Sequence, residues 1–311
     1  MNAYAIVFPG QGSQSLNMLA PFAAHKEIVH HYCSKASEVL GYDIEALITN
    51  GPENQLNQTE YTQPALLVAG VIAWEIWKNI ATNKPVFFSG HSLGEYTALT
   101  CAGSIVFEDA VSLVRARGQY MQSAVPDGVG AMAAIVGLDD AAVTAVCQSI
   151  GGTEDLAPAN FNSIGQVVIA GKRVAVEAAI VEAKKAGAKI AMLIPVSVPS
   201  HCHLMLPAAQ QLGRALEKIT FHSPEIPVFN NVDVMTESSP EKIKAALVKQ
   251  LYSPVRWVEI IQKMRAQGVS TIVECGPGKV LTGLIKRIDK EITVFSINQE
   301  DAVKTFIENK G

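Results

Sequence analysis

Apolar and polar positions fall in blocks that switch between the period of a strand and the period of a helix. Ile6-Val7-Phe8 is a short apolar run that breaks at Pro9-Gly10-Gln11-Gly12-Ser13-Gln14. No strand continues through that segment, so the pattern predicts a buried strand ending in a loop. Helical spacing covers about 25–48. Thr59-Glu60-Tyr61-Thr62-Gln63-Pro64 then introduces an almost wholly apolar helix from Ala65 to about Asn79. Pro85-Val86-Phe87-Phe88 predicts a second strand, and the helix-like Glu95-Tyr96-Thr97-Ala98-Leu99 follows it after a sharp turn. Glu108-Asp109 opens a further helix to about Ala124, with acids in the first turn as the helix dipole favours.

Beyond the hinge Pro126-Asp127-Gly128-Val129-Gly130 the rhythm changes. Strand-like Ala131–Val136, helix-like Asp139–Ile150, strand-like Leu156–Phe161 and Gln166–Ala170, a helix from Arg173 to Ala186 and strand-like Ala188–Val196 follow in turn. That order, β-α-β-β-α-β, is the split βαβ of a ferredoxin-like unit. The expected architecture is an α/β-hydrolase-like large domain with a parallel sheet and an inserted ferredoxin-like small subdomain. Residues 1–124 form the first part of the large domain, 125–196 the insertion and 197–311 the second part. In that last part a helix ends within Leu247–Pro254, which contains Gln250. Thr271-Ile272-Val273-Glu274 is a strand running into Cys275-Gly276-Pro277-Gly278-Lys279, and Val294–Ile297 is a last strand before a short helix.

With 311 residues, 49% hydrophobic and 17% charged, the chain has the composition of a globular protein able to bury a substantial core. Met1–Gly10 lacks a basic n-region and reads as a strand rather than a signal peptide. The apolar stretch Pro64–Trp77 contains Glu75 and falls short of the roughly 20 residues a bilayer span needs. Five scattered cysteines without a CxxC argue for free thiols in a reducing cytoplasm. A net charge of -4 without basic tracts leaves no footprint for nucleic acid or an anionic membrane.

The chemistry concentrates at Ser89-Gly90-His91-Ser92-Leu93-Gly94-Glu95. Gly-x-Ser-x-Gly between a strand and a helix is the nucleophile elbow, which lifts the Ser92 hydroxyl clear of the sheet and aims the Leu93 N–H at it. The same pentapeptide also fits a plain helix N-cap. Gln11, flanked by glycines, either brings an N–H to a ligand or sits in a polar turn. Arg117 and Met121, four apart, share a helix face, and a guanidinium there suits an acidic substrate group or a solvated surface, while Arg115 reads as structural. Asn160-Phe161-Asn162 and Gln166 either line a cleft between domains or cap strands. In Pro199-Ser200-His201-Cys202-His203, His201 follows a proline break and precedes a helix, the place of a loop-borne base. A loop histidine without a role fits the same spacing. A His201/His203 metal pair lacks further ligands at metal spacing. Cys275–Lys279 fails the phosphate-loop spacing, with Val280 after the lysine, and reads as a sheet-end turn.

Taken together, Phe8-Pro9-Gly10-Gln11-Gly12-Ser13-Gln14, Gly90-His91-Ser92-Leu93-Gly94-Glu95-Tyr96, Arg117-Gly118-x-x-Met121, Asn160-x-Asn162, Gly165–Gly171, Pro199-Ser200-His201-Cys202 and Gly276-Pro277-Gly278 occur in one order. In this respect the chain resembles the malonyl-CoA:acyl carrier protein transacylases of bacterial fatty acid synthesis over essentially its whole length. Asn17 departs from the glycine usual there. The resemblance implies that Ser92 is acylated by malonyl-CoA, with His201 taking its proton and the backbone carbonyl of Gln250 orienting His201. It also implies an oxyanion hole of the Gln11 and Leu93 N–H groups, and Arg117 paired with the malonyl carboxylate beside Met121, Asn160 and Asn162. The phosphopantetheine thiol of holo acyl carrier protein completes a ping-pong cycle. No cofactor or metal is implied, malonyl-CoA being a substrate, and the family expectation is a cytoplasmic monomer. Because the carrier is acidic, a docking patch is expected at Lys279, Lys286, Arg287 and Lys290. Two other readings share parts of the pattern: a serine esterase or thioesterase, and an inactive acyl-CoA or carrier-protein binding module.

Overall fold

A computed structural model describes residues 3–196 and 198–308. Met1, Asn2, Ser197 and residues 309–311 lie outside them, including the position at which the sequence places the return to the large domain. Nine strands are present among the described residues: β1 (Ala3–Phe8), β2 (Phe87–Gly90), β3 (Gly130–Val136), β4 (Leu156–Ser163), β5 (Gln166–Lys172), β6 (Ile190–Leu193), β7 (Val228–Phe229), β8 (Val269–Glu274) and β9 (Thr293–Ser296). They form a five-stranded parallel sheet in the order β7-β2-β1-β8-β9 and a four-stranded antiparallel sheet in the order β4-β5-β3-β6.

The large sheet is buried on both faces, which is why β1 reads as an unbroken apolar run. Its side chains alternate between two cores. Ile6 and Phe8 pack with the helices Thr59–Ile80 and Phe107–Ala124, while Ala5 and Val7 pack with Trp257–Ala266 and Val280–Ile288. Val7 pairs with Ser89 on one side and Glu274 on the other, so the loops leaving β1, β2 and β8 emerge along one edge of the sheet. That carboxyl edge is where open α/β sheets bind their ligands.

In the small sheet, β3 lies between β5 and β6, and the helices Asp140–Ile150 and Arg173–Lys185 cover one face. This is the ferredoxin-like order. The opposite face, with Met132 and Val168, packs against Cys202 of the large unit. The Phe161 N–H donates to the Val255 carbonyl at 2.9 Å and the Val255 N–H to the Ala159 carbonyl at 2.9 Å, stitching β4 to the chain after Gln250.

Three boundaries differ from the sequence reading. The helical region 25–48 is two helices, Lys26–Leu40 and Ile44–Asn50, because Gly41 takes a left-handed φ of 73° and Asp43 caps the second helix at the Ala46 N–H. The buried helix begins at Thr59, with Pro64 inside it; burial along nearly its whole length outweighs the single backbone bond that proline removes. The strand β6 is only four residues long, since Gly187 turns the chain before it and Pro195 follows it. All five cysteines are free, and among the described residues no helix is long and apolar enough to cross a membrane.

Candidate active site

Local sequence builds the elbow. Between β2 and the helix Leu93–Cys101, Ser92 adopts φ 52° and ψ −107°, a conformation L residues rarely hold. A Cβ on Gly90 would collide with the Gly94 backbone, and one on Gly94 with the Phe8 carbonyl, so the turn closes only with glycine at both positions. Asn231 clamps the turn from the side. Its Oδ1 accepts the Ser92 N–H at 2.7 Å and its Nδ2 donates to the Gly90 carbonyl at 2.7 Å.

His201, 3% exposed, also has a left-handed backbone, with φ 61°. Its Nδ1 lies 2.7 Å from the Gln250 carbonyl and its Nε2 2.8 Å from Ser92 Oγ. A carbonyl only accepts, so Nδ1 carries the proton and the Nε2 lone pair faces the hydroxyl. Burial is the largest influence on this imidazole and the Arg117 charge the next; together they push its pKa down to about 3, leaving the ring neutral at ordinary pH. Arg117 is 1% exposed. It donates through Nη1 to Gln63 Oε1 at 2.8 Å, and through Nη2 to Gln250 Oε1 at 3.1 Å and Ser92 Oγ at 3.2 Å. The Tyr96 ring lies 5.2 Å from the guanidinium carbon, Nε has no partner, and among the described residues no carboxylate pairs with the cation.

The pattern in which these residues occur is widely shared. The family profile for the acyl transferase domain matches residues 5–309. The malonyl CoA-acyl carrier protein transacylase of Escherichia coli strain K12 is 52% identical over 308 residues, covering 99% of this chain and all of that protein. The chain belongs to the malonyl-CoA:acyl carrier protein transacylase family. A transacylase of the same name from Bacillus subtilis is 41% identical over 99% of this chain and 97% of its own length. Among solved structures, the transacylase from Coxiella burnetii superposes with a TM-score of 0.96 at 48% identity, over 99% of this chain and 97% of that one. A malonyl-transacylase solved in complex with its type II PKS acyl-carrier protein gives 0.95 at 50% identity, over 99% of each chain.

In this transacylase, Gln11, Ser92, Leu93, Arg117, Met121, Asn160, Asn162 and His201 all line one cavity of about 640 Å³ between the large sheet's carboxyl edge and the small subdomain. Gln250 stands behind His201, wholly buried. Met121 Sδ receives Gln63 Nε2 at 3.5 Å, and Asn162 Oδ1 lies 2.8 Å from His91 Nε2. The asparagines therefore face the cleft, although Asn160 also pairs with Val255 and Val168 along β4. Arg115 is structural: it donates to the Leu40 carbonyl at 2.6 Å and lies over the Tyr42 ring. Asn17, the departure from the family pattern, takes φ 59°, which asparagine tolerates better than most residues.

Sequence reasoning passed over Gln63, Glu95 and Asn231. Glu95 is 2% exposed and accepts Gln250 Nε2 at 2.7 Å and the Asn231 N–H at 2.9 Å. Burial is the largest cause that raises its pKa to about 7, against the lowering effect of the two hydrogen bonds and Arg117. A lone carboxylate in Leu93-Gly94-Glu95-Tyr96-Thr97-Ala98-Leu99 was the available signal. Gln250 also does more than lend its carbonyl, since its side chain contacts Arg117, Glu95 and the Ser92 carbonyl.

Proposed function

We infer that this chain transfers the malonyl group of malonyl-CoA to the phosphopantetheine thiol of holo acyl carrier protein through a malonyl-serine intermediate, supplying fatty acid elongation. The observation that carries the reading is the buried Arg117 cation, without a carboxylate of its own and 3.2 Å from the nucleophile. Such a group favours an acyl chain that ends in a carboxylate, because leaving a buried guanidinium short of a partner costs about 1–3 kcal/mol or more.

In the proposed cycle Ser92 Oγ attacks the thioester carbonyl as its proton passes to His201 Nε2. The Gln250 carbonyl holds the imidazolium that forms, and the Leu93 N–H, at the start of a helix, with the Gln11 N–H receives the oxyanion. Collapse breaks the C–S bond, and the His201 proton goes to the departing CoA thiolate. The carrier thiol then attacks the acyl-serine, giving its proton to His201, which returns it to Ser92. Met121, Asn160 and Asn162 line the acyl and pantetheine path.

The working unit is residues 1–124 with 197–311, carrying the insertion 125–196 over the cleft, and it acts in the cytoplasm as a monomer. Lys279, Lys286, Arg287 and Lys290 are all exposed, Lys279 just before the helix Val280–Ile288 and Lys286 and Arg287 in its last turn, and they supply the face for the acidic carrier. The test is the intact mass after brief exposure to malonyl-CoA. A malonyl adduct on the parent, absent from Ser92→Ala and discharged by holo carrier, is expected. An adduct lost at once to water points to a hydrolase, and no adduct to a binding module.

A further inference from the structure

Glu95 does not line the cavity, yet it is buried beneath the reactive serine and every bond it makes leads back to the site. Its Oε2 accepts Gln250 Nε2 at 2.7 Å, and the same amide presents Oε1 to Arg117 Nη2 at 3.1 Å. A primary amide is nearly symmetric in shape, so packing alone does not choose which end faces the arginine. With the oxygen toward Arg117 the contact is a charge-assisted bond; with the NH2 toward it, two donors meet around a buried cation. The oxygen at the other end already accepts the Asn231 N–H, so it offers no proton to the amide and removes the second arrangement. Gln250 Nε2 also reaches the Ser92 carbonyl at 3.1 Å, a second acceptor that agrees with this polarity.

We propose that Glu95 fixes the polarity of the Gln250 amide and thereby the position of the Arg117 guanidinium, making it a specificity-positioning residue for the carboxyl-bearing acyl group. This rests on Arg117 as the partner of that carboxyl group. Gln63 Oε1 holds the other terminal nitrogen at 2.8 Å, so the fork is aimed from two sides, and only the Gln250 side depends on a carboxylate. Glu95 binds the Asn231 N–H as well, but that bond serves the elbow and weighs equally on every acyl group.

The experiment compares Glu95→Leu and Glu95→Gln for acylation of Ser92 by malonyl-CoA and by acetyl-CoA, with kcat and KM taken separately. Glutamine keeps an oxygen able to accept from both Gln250 and Asn231, so the ratio of malonyl to acetyl kcat/KM stays within about threefold of the parent. Leucine frees the amide to turn, and the ratio falls at least about tenfold, with the malonyl KM rising. Equal losses for both acyl groups in Glu95→Leu mean a structural role and overturn the proposal. A ratio lost as fully in Glu95→Gln overturns it too, since charge rather than amide polarity then matters. If Glu95→Leu does not fold, Gln250→Met removes the same anchor while keeping the main-chain carbonyl, and an undiminished ratio there is equally fatal. Arg117→Ala separates the two levels. If it leaves malonyl preference intact, the reading of Arg117 fails; if it abolishes the preference while the Glu95 and Gln250 variants keep it, only the present proposal fails.

Discussion

Replacing Arg117 by methionine, which keeps much of the stem and removes the charge, makes His201 a stronger base. Arg117 Nη2 is 3.2 Å from Ser92 Oγ and that oxygen is 2.8 Å from His201 Nε2, placing the cation no more than about 6 Å from an imidazolium at His201. At an effective dielectric of about 20, Coulomb's law gives roughly 3 kcal/mol, or about two pKa units. The imidazole pKa then moves from about 3 to about 5, still below the ordinary 6.5 because burial is the larger cause and remains. The assay is the single-turnover rate of Ser92 acetylation from acetyl-CoA between pH 4 and pH 7, read by intact mass. The parent is flat over that range, whereas the variant loses about tenfold between pH 7 and pH 4, most of it below pH 5, as its histidine protonates. A variant profile as flat as the parent's refutes the argument, because it means the guanidinium does not act on the base.

Asn231→Ala leaves the Ser92 N–H and Gly90 carbonyl without their partner, so it destabilises the fold by about 2 kcal/mol in urea titrations and slows malonyl and acetyl acylation alike. A selective loss of one substrate contradicts that assignment. Gly94→Ala drives a methyl into the Phe8 carbonyl and is expected to cost about 3 kcal/mol and abolish the adduct; a parent-like urea midpoint would show that the elbow can relax. Glu95 has a folded pKa raised from 4.5 to about 7, so its contribution to stability is fully present below about pH 4.5 and is lost as pH rises through about 7. Glu95→Gln removes that loss. Relative to the parent it therefore gains roughly 3 kcal/mol between pH 4.5 and pH 8, and an equal parent–variant difference at both pH values contradicts the shift.

The elbow was legible because its signal is local, an apolar strand, two glycines whose Cβ positions are filled and a helix start following one another directly, whereas the Asn231 clamp comes from far along the chain and left no mark. The ferredoxin-like insertion was legible because its strands and helices alternate in period over short segments. The break at Gly41 was written in the sequence too, as a C-terminal glycine followed by an Asp N-cap, but continuous helical spacing on both sides masked it. The supports of Arg117 were not legible in the same way. Gln63, Gln250 and Glu95 come from three separate helices, and each is one polar residue on a buried face, a pattern shared by ordinary core contacts. Only the parallel sheet, which brings those helices to one edge, turns them into a network. Arg117 itself was open on its helix face and acquired a role through the family motif, after which its burial agreed.

The geometry also implies that selection of the acyl group acts twice on one serine. Arg117 donates to Ser92 Oγ while its field weakens the base that takes that oxygen's proton. A malonyl carboxylate docked on the guanidinium cancels much of that field and so strengthens His201 as the thioester arrives. An acetyl group brings no carboxylate, and the base stays weak by about two pKa units, which at a Brønsted slope of about one half is roughly tenfold in rate. That factor multiplies the loss from leaving the cation unpaired. Removing Arg117 erases both terms, so malonyl transfer should collapse while acetyl transfer rises by about tenfold at pH 7. A gain confined to a lower acetyl KM, with its acylation rate constant unchanged, means that the arginine selects by binding alone and leaves the base untouched.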